Sequence, residues 1–195
     1  MFILRPLLAL FLFLPLVALG QQPLPTLQAD VDQPVVQELM GGCSLACAFP
    51  WETKGVSPGG SPYPIYTLKD DDKSTAWIDT APGSSIGTKL VFEFPKKLIK
   101  ELQGTPFYGF DIANGNLKSD NLWREYSRVK KVKMFYNGKP LYYIAFSDSK
   151  RWQKVSFDDI FIKAGDSMAL QIVEVYLGTK SPNVAVTELV LQGAH

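Results

Sequence analysis

The sequence predicts an all-β fold, a sandwich or barrel of about eight strands. Three observations carry that expectation. Over 89–94, Leu90, Phe92 and Phe94 fall on one face and Lys89, Val91 and Glu93 on the other, the period-two signature of a half-buried strand. Two further strand-like runs flank Asn137-Gly138, a dipeptide that accepts the positive backbone angles of a tight hairpin turn. Helical spacing, by contrast, is confined to the short stretch 96–102.

Taken from the N-terminus, residues 7–20 are uncharged and apolar, sit behind a single Arg5, and end in Ala18-Leu19-Gly20, with small residues where a signal peptidase reads. The run falls below the roughly 18 to 20 apolar residues that span a bilayer. Residues 1–20 therefore read as a signal peptide, cleaved after Gly20, with no transmembrane span left behind. Cys43 lies too far beyond the apolar run to carry a lipid anchor. The expected location is exported: periplasmic, secreted or at the cell surface.

Residues 21–61 are rich in Pro, Gly and Gln without a sustained period, and read as a loosely ordered leader. Cys43 and Cys47 lie four apart within it, close enough to bridge in an oxidising compartment. A local disulfide is the simplest reading; a metal pair lacks further Cys or His ligands nearby, and a reactive thiol lacks a base, since the only histidine is His195. The domain proper is expected over 62–195. Its strands are expected at 89–94, 107–113, 129–136, 141–146, 152–157, 168–176 and 184–191, the third and fourth forming the Asn137-Gly138 hairpin.

Charge excludes one class of partner. The whole chain carries 20 basic and 19 acidic residues, and loss of Arg5 with the signal peptide brings them level. Neither that balance nor export favours nucleic acid. An enzyme is not expected either. No Gly-x-Ser-x-Gly elbow, phosphate-binding glycine loop or histidine triad is present, and the acids are dispersed rather than paired as glycoside hydrolysis requires.

One acid stands out in the last predicted strand, where Glu188 is in register with Val184, Val186 and Val190 while Leu189 and Leu191 occupy the other face. A buried carboxylate needs a partner. The run Asp70-Asp71-Asp72-Lys73-Ser74-Thr75 offers carboxylate, hydroxyl and carbonyl oxygens of the kind a hard cation such as calcium takes. The alternative is a solvated acidic turn, with Glu188 paired to a lysine.

The segment LKDDDKSTAW over 68–77 resembles the Asp-Gly-x-x-Ser-Thr-x-Trp loop of discoidin-like, galactose-binding-like domains (the coagulation factor type C group), and Thr187-Glu188-Leu189 before Gln192-Gly193 is similar to their closing strand. Asn114-Gly115 with Lys118, then Ser127-Arg128-Val129-Lys130-Lys131, then Gly178-Thr179-Lys180 are similar to the discoidin-like domain found beside bacterial NAD glycohydrolase toxins, where it serves glycan binding and toxin translocation. Ile86-Gly87, Asp148 and Gln153 follow the same pattern. The resemblance runs from about Tyr63 to Gly193.

It implies a jelly-roll β-sandwich with a ligand surface on loops at one end. It further implies a structural calcium ion held by Asp70, Thr75 and Glu188 with Asp72 in support, and a binding role without NAD cleavage. Three positions depart from the pattern: Asp71 stands where a glycine is usual, Asn116 where an aromatic often follows Asn-Gly, and Tyr126 where an asparagine is expected.

Carbohydrate is the expected ligand, with an envelope protein as the alternative partner. Aromatic rings stack on sugars and guanidinium groups bond hydroxyls in pairs, which makes Trp123, Arg124, Tyr126 and Arg128 the candidate contacts. A structural reading competes: Lys131 and Lys133 alternate with Val132 and Met134 as a solvated strand face would, and Arg128 could hold a loop through a carboxylate.

Overall fold

Two packed sheets dominate the computed structural model, which describes residues 23–34, 51–57, 65–80, 83–95, 104 and 106–193. The proposed signal peptide, Cys43 with Cys47, and the helical stretch 96–102 lie outside the described residues. The strands are β1 (Thr26–Gln28), β2 (Asp30–Pro34), β3 (Glu52–Ser57), β4 (Trp77–Ile78), β5 (Lys89–Glu93), β6 (Pro106–Asn114), β7 (Arg128–Tyr136), β8 (Lys139–Ala145), β9 (Arg151–Phe161), β10 (Ser167–Tyr176) and β11 (Ala185–Gly193). A six-stranded sheet runs β1-β8-β7-β10-β5-β3 and a five-stranded sheet runs β2-β9-β6-β11-β4.

All pairings but one are antiparallel, the exception being β1 on β8. The expected period-two strands all form. In β5, Leu90 and Phe92 are buried while Lys89, Val91 and Glu93 remain partly exposed. The β7–β8 hairpin turns at Asn137 (φ 47°) and Gly138 (φ 76°), both in the left-handed region that the dipeptide tolerates.

The sequence left out four short strands and one helix. β1, β2 and β3 belong to the stretch read as leader, and each pairs at a sheet edge, with β8, β9 and β5 respectively. Edge segments this short carry no readable alternation. Helix α1 (Asp120–Glu125) is only six residues long and starts at Ser119, whose side chain accepts a hydrogen bond from the Leu122 amide at 3.2 Å.

Between the sheets lies a continuous apolar core. Phe92, Met134, Ile144, Met168 and Ile172 from one sheet meet Phe107, Phe110, Val155 and Leu191 from the other. Phe94 and Phe107 pack with ring centroids 5.7 Å apart. Burying each such side chain stabilises the fold by about 2 kcal/mol. A void of about 10 Å³ remains in this core, lined only by apolar side chains and too small to receive a ligand.

A second, smaller cluster lies apart from the main core. It joins Ala113 on β6, Trp152 on β9 and Val190 on β11 to Leu117 in the loop before α1, with Trp123 of α1 packed against it. That cluster corrects the parity reading of the last strand. Val184 and Val186 pack in the main core together with Leu189 and Leu191, whereas Val190 packs in the second cluster. The alternation therefore slips between Val186 and Leu189, and Glu188 does not share its face with all three valines.

Candidate functional site

The residues that carry the family resemblance interlock at one end of the sandwich. Asn114 at the end of β6 reaches across to β7: its Nδ2 donates to the Val129 carbonyl at 2.7 Å and its Oδ1 accepts from the Val129 amide at 3.0 Å. Gly115 follows at φ 96°, and a Cβ there would stand 2.5 Å from Trp123 Cδ1 and 2.9 Å from Arg128 Cγ. Only glycine lets the indole and the arginine stem close over the chain at this point. Ser127 Oγ donates to the Ser181 carbonyl at 3.1 Å and accepts from the Gly178 amide at 3.0 Å, so the loop after β10 is fastened to the start of β7.

Arg128 sits at the centre of this arrangement, buried to 6% exposure. Its Nε and Nη2 donate to the two carboxylate oxygens of Asp148 at 3.0 and 2.8 Å, and Nη1 donates to the Tyr126 carbonyl at 3.0 Å. The guanidinium carbon lies 4.4 Å from the centre of the Trp123 ring. Arg128 thus positions loops and the indole, leaving its charge committed within the protein. Replacement by Met is expected to cost about 2 kcal/mol in urea denaturation, moderated because Asp148 is 37% exposed and can rehydrate. Lys should not restore the loss, since it lacks the planar fork.

The other sequence candidates divide. Trp123 is half-buried and its indole N–H donates to the Asn114 carbonyl at 3.1 Å. Arg124 is exposed, with one guanidinium nitrogen 3.9 Å from Asp120. Tyr126 is half-buried and closes α1, its amide donating to the Leu122 carbonyl. Lys131 and Lys133 form a partly exposed strand face beside the Tyr143 ring, at 4.9 and 5.8 Å, while Val132 and Met134 face the core.

The acidic loop lies against β11. Asp71 takes φ 56°, the positive angle its glycine-like position demands, and its amide donates to Glu188 Oε2 at 3.1 Å. Thr75 Oγ1 lies 3.0 and 2.8 Å from the two Asp70 carboxylate oxygens and 3.1 Å from the Asp72 carbonyl. One hydroxyl hydrogen can serve only one of these three acceptors. Glu188 is fully buried, and its Oε1 has no hydrogen-bond partner. Burial, reinforced by the neighbouring charge of Asp70, pushes its carboxyl up to about 8.

Among the described residues no three carboxyl, thiol or imidazole groups are placed to hold a metal between themselves. A cation here would have to draw on hydroxyl and carbonyl oxygens as well, which is the donor chemistry of calcium. The crowding around Thr75 Oγ1 and the partnerless oxygen of Glu188 fit such an ion.

Next to this loop a cleft of about 200 Å³ opens between Lys73, the start of α1 and the loop leading into β9. Trp123 and Leu117 supply its apolar wall, Ser119 and Asp120 a polar one, and Lys150 and Arg151 the rim. Lys150 Nζ donates to Asp120 at 2.5 Å and stands 5.3 Å from the Trp123 ring centre. That contact, with Arg124 and Lys73 nearby, holds the Asp120 carboxyl below the usual carboxylate range. Sequence reasoning named Trp123 but missed Lys73, Lys150, Arg151 and Asp120. The readable signals were Ser119-Asp120, a helix-starting pair, and the adjacent cations Lys150-Arg151 before Trp152.

The profile of a family described as the NAD glycohydrolase translocation F5/8 type C domain matches residues 52–192. No curated protein matches the chain. Several solved structures share the fold. The family 32 carbohydrate-binding module of Clostridium perfringens NanJ, solved in complex with galactose, is 16% identical with a TM-score of 0.52, over 74% of this chain and 97% of that one. The paired family 32 modules of Clostridium perfringens ZmpB, solved with GalNAc, give 14% and 0.54, over 86% of this chain and 39% of that one. A third such module, from a family 31 glycoside hydrolase of Clostridium perfringens, gives 12% and 0.52, over 78% and 94%.

Proposed function

Because the chain belongs to the NAD glycohydrolase translocation F5/8 type C domain family, we propose that it is an exported, non-catalytic module that binds carbohydrate in the cleft beside Trp123. The observation that carries this reading is the cleft itself: a half-exposed indole flanked by hydrogen-bonding side chains, on a rigid sandwich whose fold is shared with modules solved with galactose and GalNAc. An indole face stacks on the C–H face of a sugar ring, while Ser119, Asp120, Lys150 and Arg151 can bond its hydroxyls. The volume is below the roughly 300 to 1,000 Å³ of sites for drug-sized ligands, on the scale of one sugar ring.

Binding without hydrolysis follows from the charges. Glycoside cleavage needs two carboxyl groups, one of them protonated. The cleft offers Asp120, which its cationic neighbours keep ionised. The apolar run 7–20 supports export.

The same reading includes a structural calcium ion at Asp70, Asp72, Thr75 and Glu188. It would neutralise the loop charge and give Glu188 a partner, away from any chemistry on the ligand.

The test is titration of the purified protein with a panel of mono- and oligosaccharides, followed by calorimetry. Saturable binding that falls at least about tenfold in Lys150→Ala, with the melting temperature unchanged, supports the cleft. An absence of binding across the panel, with retention of an envelope protein in a native pull-down, would instead favour the structural partner.

A further inference from the structure

We infer that the cleft selects sugars carrying a carboxylate, such as uronic acids, over their neutral counterparts; this rests on the reading of the cleft as a carbohydrate site. The walls hold three cations, Lys73, Lys150 and Arg151, against the single carboxylate of Asp120. On a chain with a net charge of only +1, that local excess is a departure in need of a counterion.

The three cations are differently committed. Lys150 is taken up by Asp120. Among the described residues the Arg151 side chain is held by one bond, from Nε to the carbonyl of Asp32 on strand β2, and it is otherwise exposed. Its two terminal nitrogens have no partner among the described residues, so an anchored guanidinium presents a free fork at the rim. The fork geometry matches a carboxylate in two parallel hydrogen bonds. The Lys73 ammonium makes no hydrogen bond or close ion pair among the described residues, acts on Asp120 only through space, and adds a second charge from the acidic loop's far end. Asp70, Asp71 and Asp72 precede it on that loop but do not line the cleft.

An indole for the ring and a free guanidinium fork for an acid group together describe a uronate or similar acidic sugar. A hydroxymethyl group at the same position would offer the fork one neutral oxygen in place of two charged ones. The difference is one charge-assisted contact, which corresponds to about tenfold in affinity. It should weaken with salt, since the rim is solvent-exposed.

The experiment compares hexoses with their uronic acids, in the galacto, gluco and manno series, as free sugars and as short oligomers, by calorimetry on the wild type and on Arg151→Gln and Lys73→Gln. The expected result is at least one acid binding about tenfold more tightly than its parent hexose at low salt. That advantage should shrink in 0.5 M salt (about a 4 Å screening length) and disappear in Arg151→Gln, which should bind the acid no more tightly than the hexose. Equal or tighter binding of the hexose overturns the inference while leaving the carbohydrate reading intact. Binding of neither overturns both.

Discussion

Gly178→Ala is expected to destabilise the protein by at least about 3 kcal/mol, enough to leave little folded material at 37 °C. A Cβ at this position would lie 2.2 Å from the Glu125 carbonyl oxygen, 2.5 Å from the Tyr126 carbonyl carbon and 2.7 Å from the Ser181 carbonyl oxygen. All three atoms are backbone, so no side chain can swing aside. The loop also carries paired bonds that any retreat would break: Thr179 and Ser181 amides donate to Arg124 and Glu125 carbonyls at 2.9 Å. Gly138→Ala is the control. Its φ of 76° is strained for alanine, yet nothing lies within 4 Å of the added carbon, so a loss of about 1 kcal/mol is expected. Urea denaturation of both variants measures the contrast; comparable losses would contradict the packed interlock around α1.

Glu188→Gln should change how stability depends on pH and on calcium. Folding raises this carboxyl from 4.5 to about 8, so without a cation the folded protein holds a proton that the unfolded chain releases. The stability this confers is complete below about pH 4.5 and is lost as pH rises through about 8, on the order of 5 kcal/mol. In chelator, the wild type should therefore melt at progressively lower temperature from pH 5 to pH 8, and Glu188→Gln should follow a flatter profile. Calcium at pH 8 should restore the wild type and leave the variant nearly unchanged. If calcium and chelator give the same melting temperature in both proteins, Asp70, Asp71 and Asp72 form only an acidic turn.

These two sites show which parts of the molecule its sequence makes legible. Strands with one face in the core, such as β5 and β7, could be read residue by residue because burial imposes a period of two. The hairpin at Asn137-Gly138 could be read because its backbone angles restrict the residue types. Edge strands could not: β1, β2 and β3 are held by main-chain pairing, which leaves no pattern in side chains. Glu188 is legible as a buried acid because apolar residues flank it along the strand, but the slip between Val186 and Leu189 hides which neighbours share its face.

The candidate site divides on the same principle. Arg128 and Trp123 attract attention as an arginine and an aromatic in a basic stretch, yet Arg128 is consumed by Asp148 and the Tyr126 carbonyl. A local sequence window cannot show a partner twenty residues away. The cleft-lining cations come from separate loops, Lys73 before β4 and Lys150 with Arg151 at the start of β9, and only folding brings them beside Trp123. Motif residues such as Asn114, Gly115, Ser127 and Gly178 mark the scaffold, while the proposed ligand cleft is lined by positions that the motif does not specify.

Sugar bound in the cleft beside Trp123 should be visible in the tryptophan ring signals during a nuclear magnetic resonance titration with the best-binding saccharide. The four tryptophans report on different places: Trp51 and Trp77 lie in the main core, Trp152 in the second cluster, and Trp123 at the cleft. Saturable shifts should be largest at Trp123, with Trp51 and Trp77 unmoved. Saturable sugar binding that leaves the Trp123 ring unshifted would contradict this placement of the site.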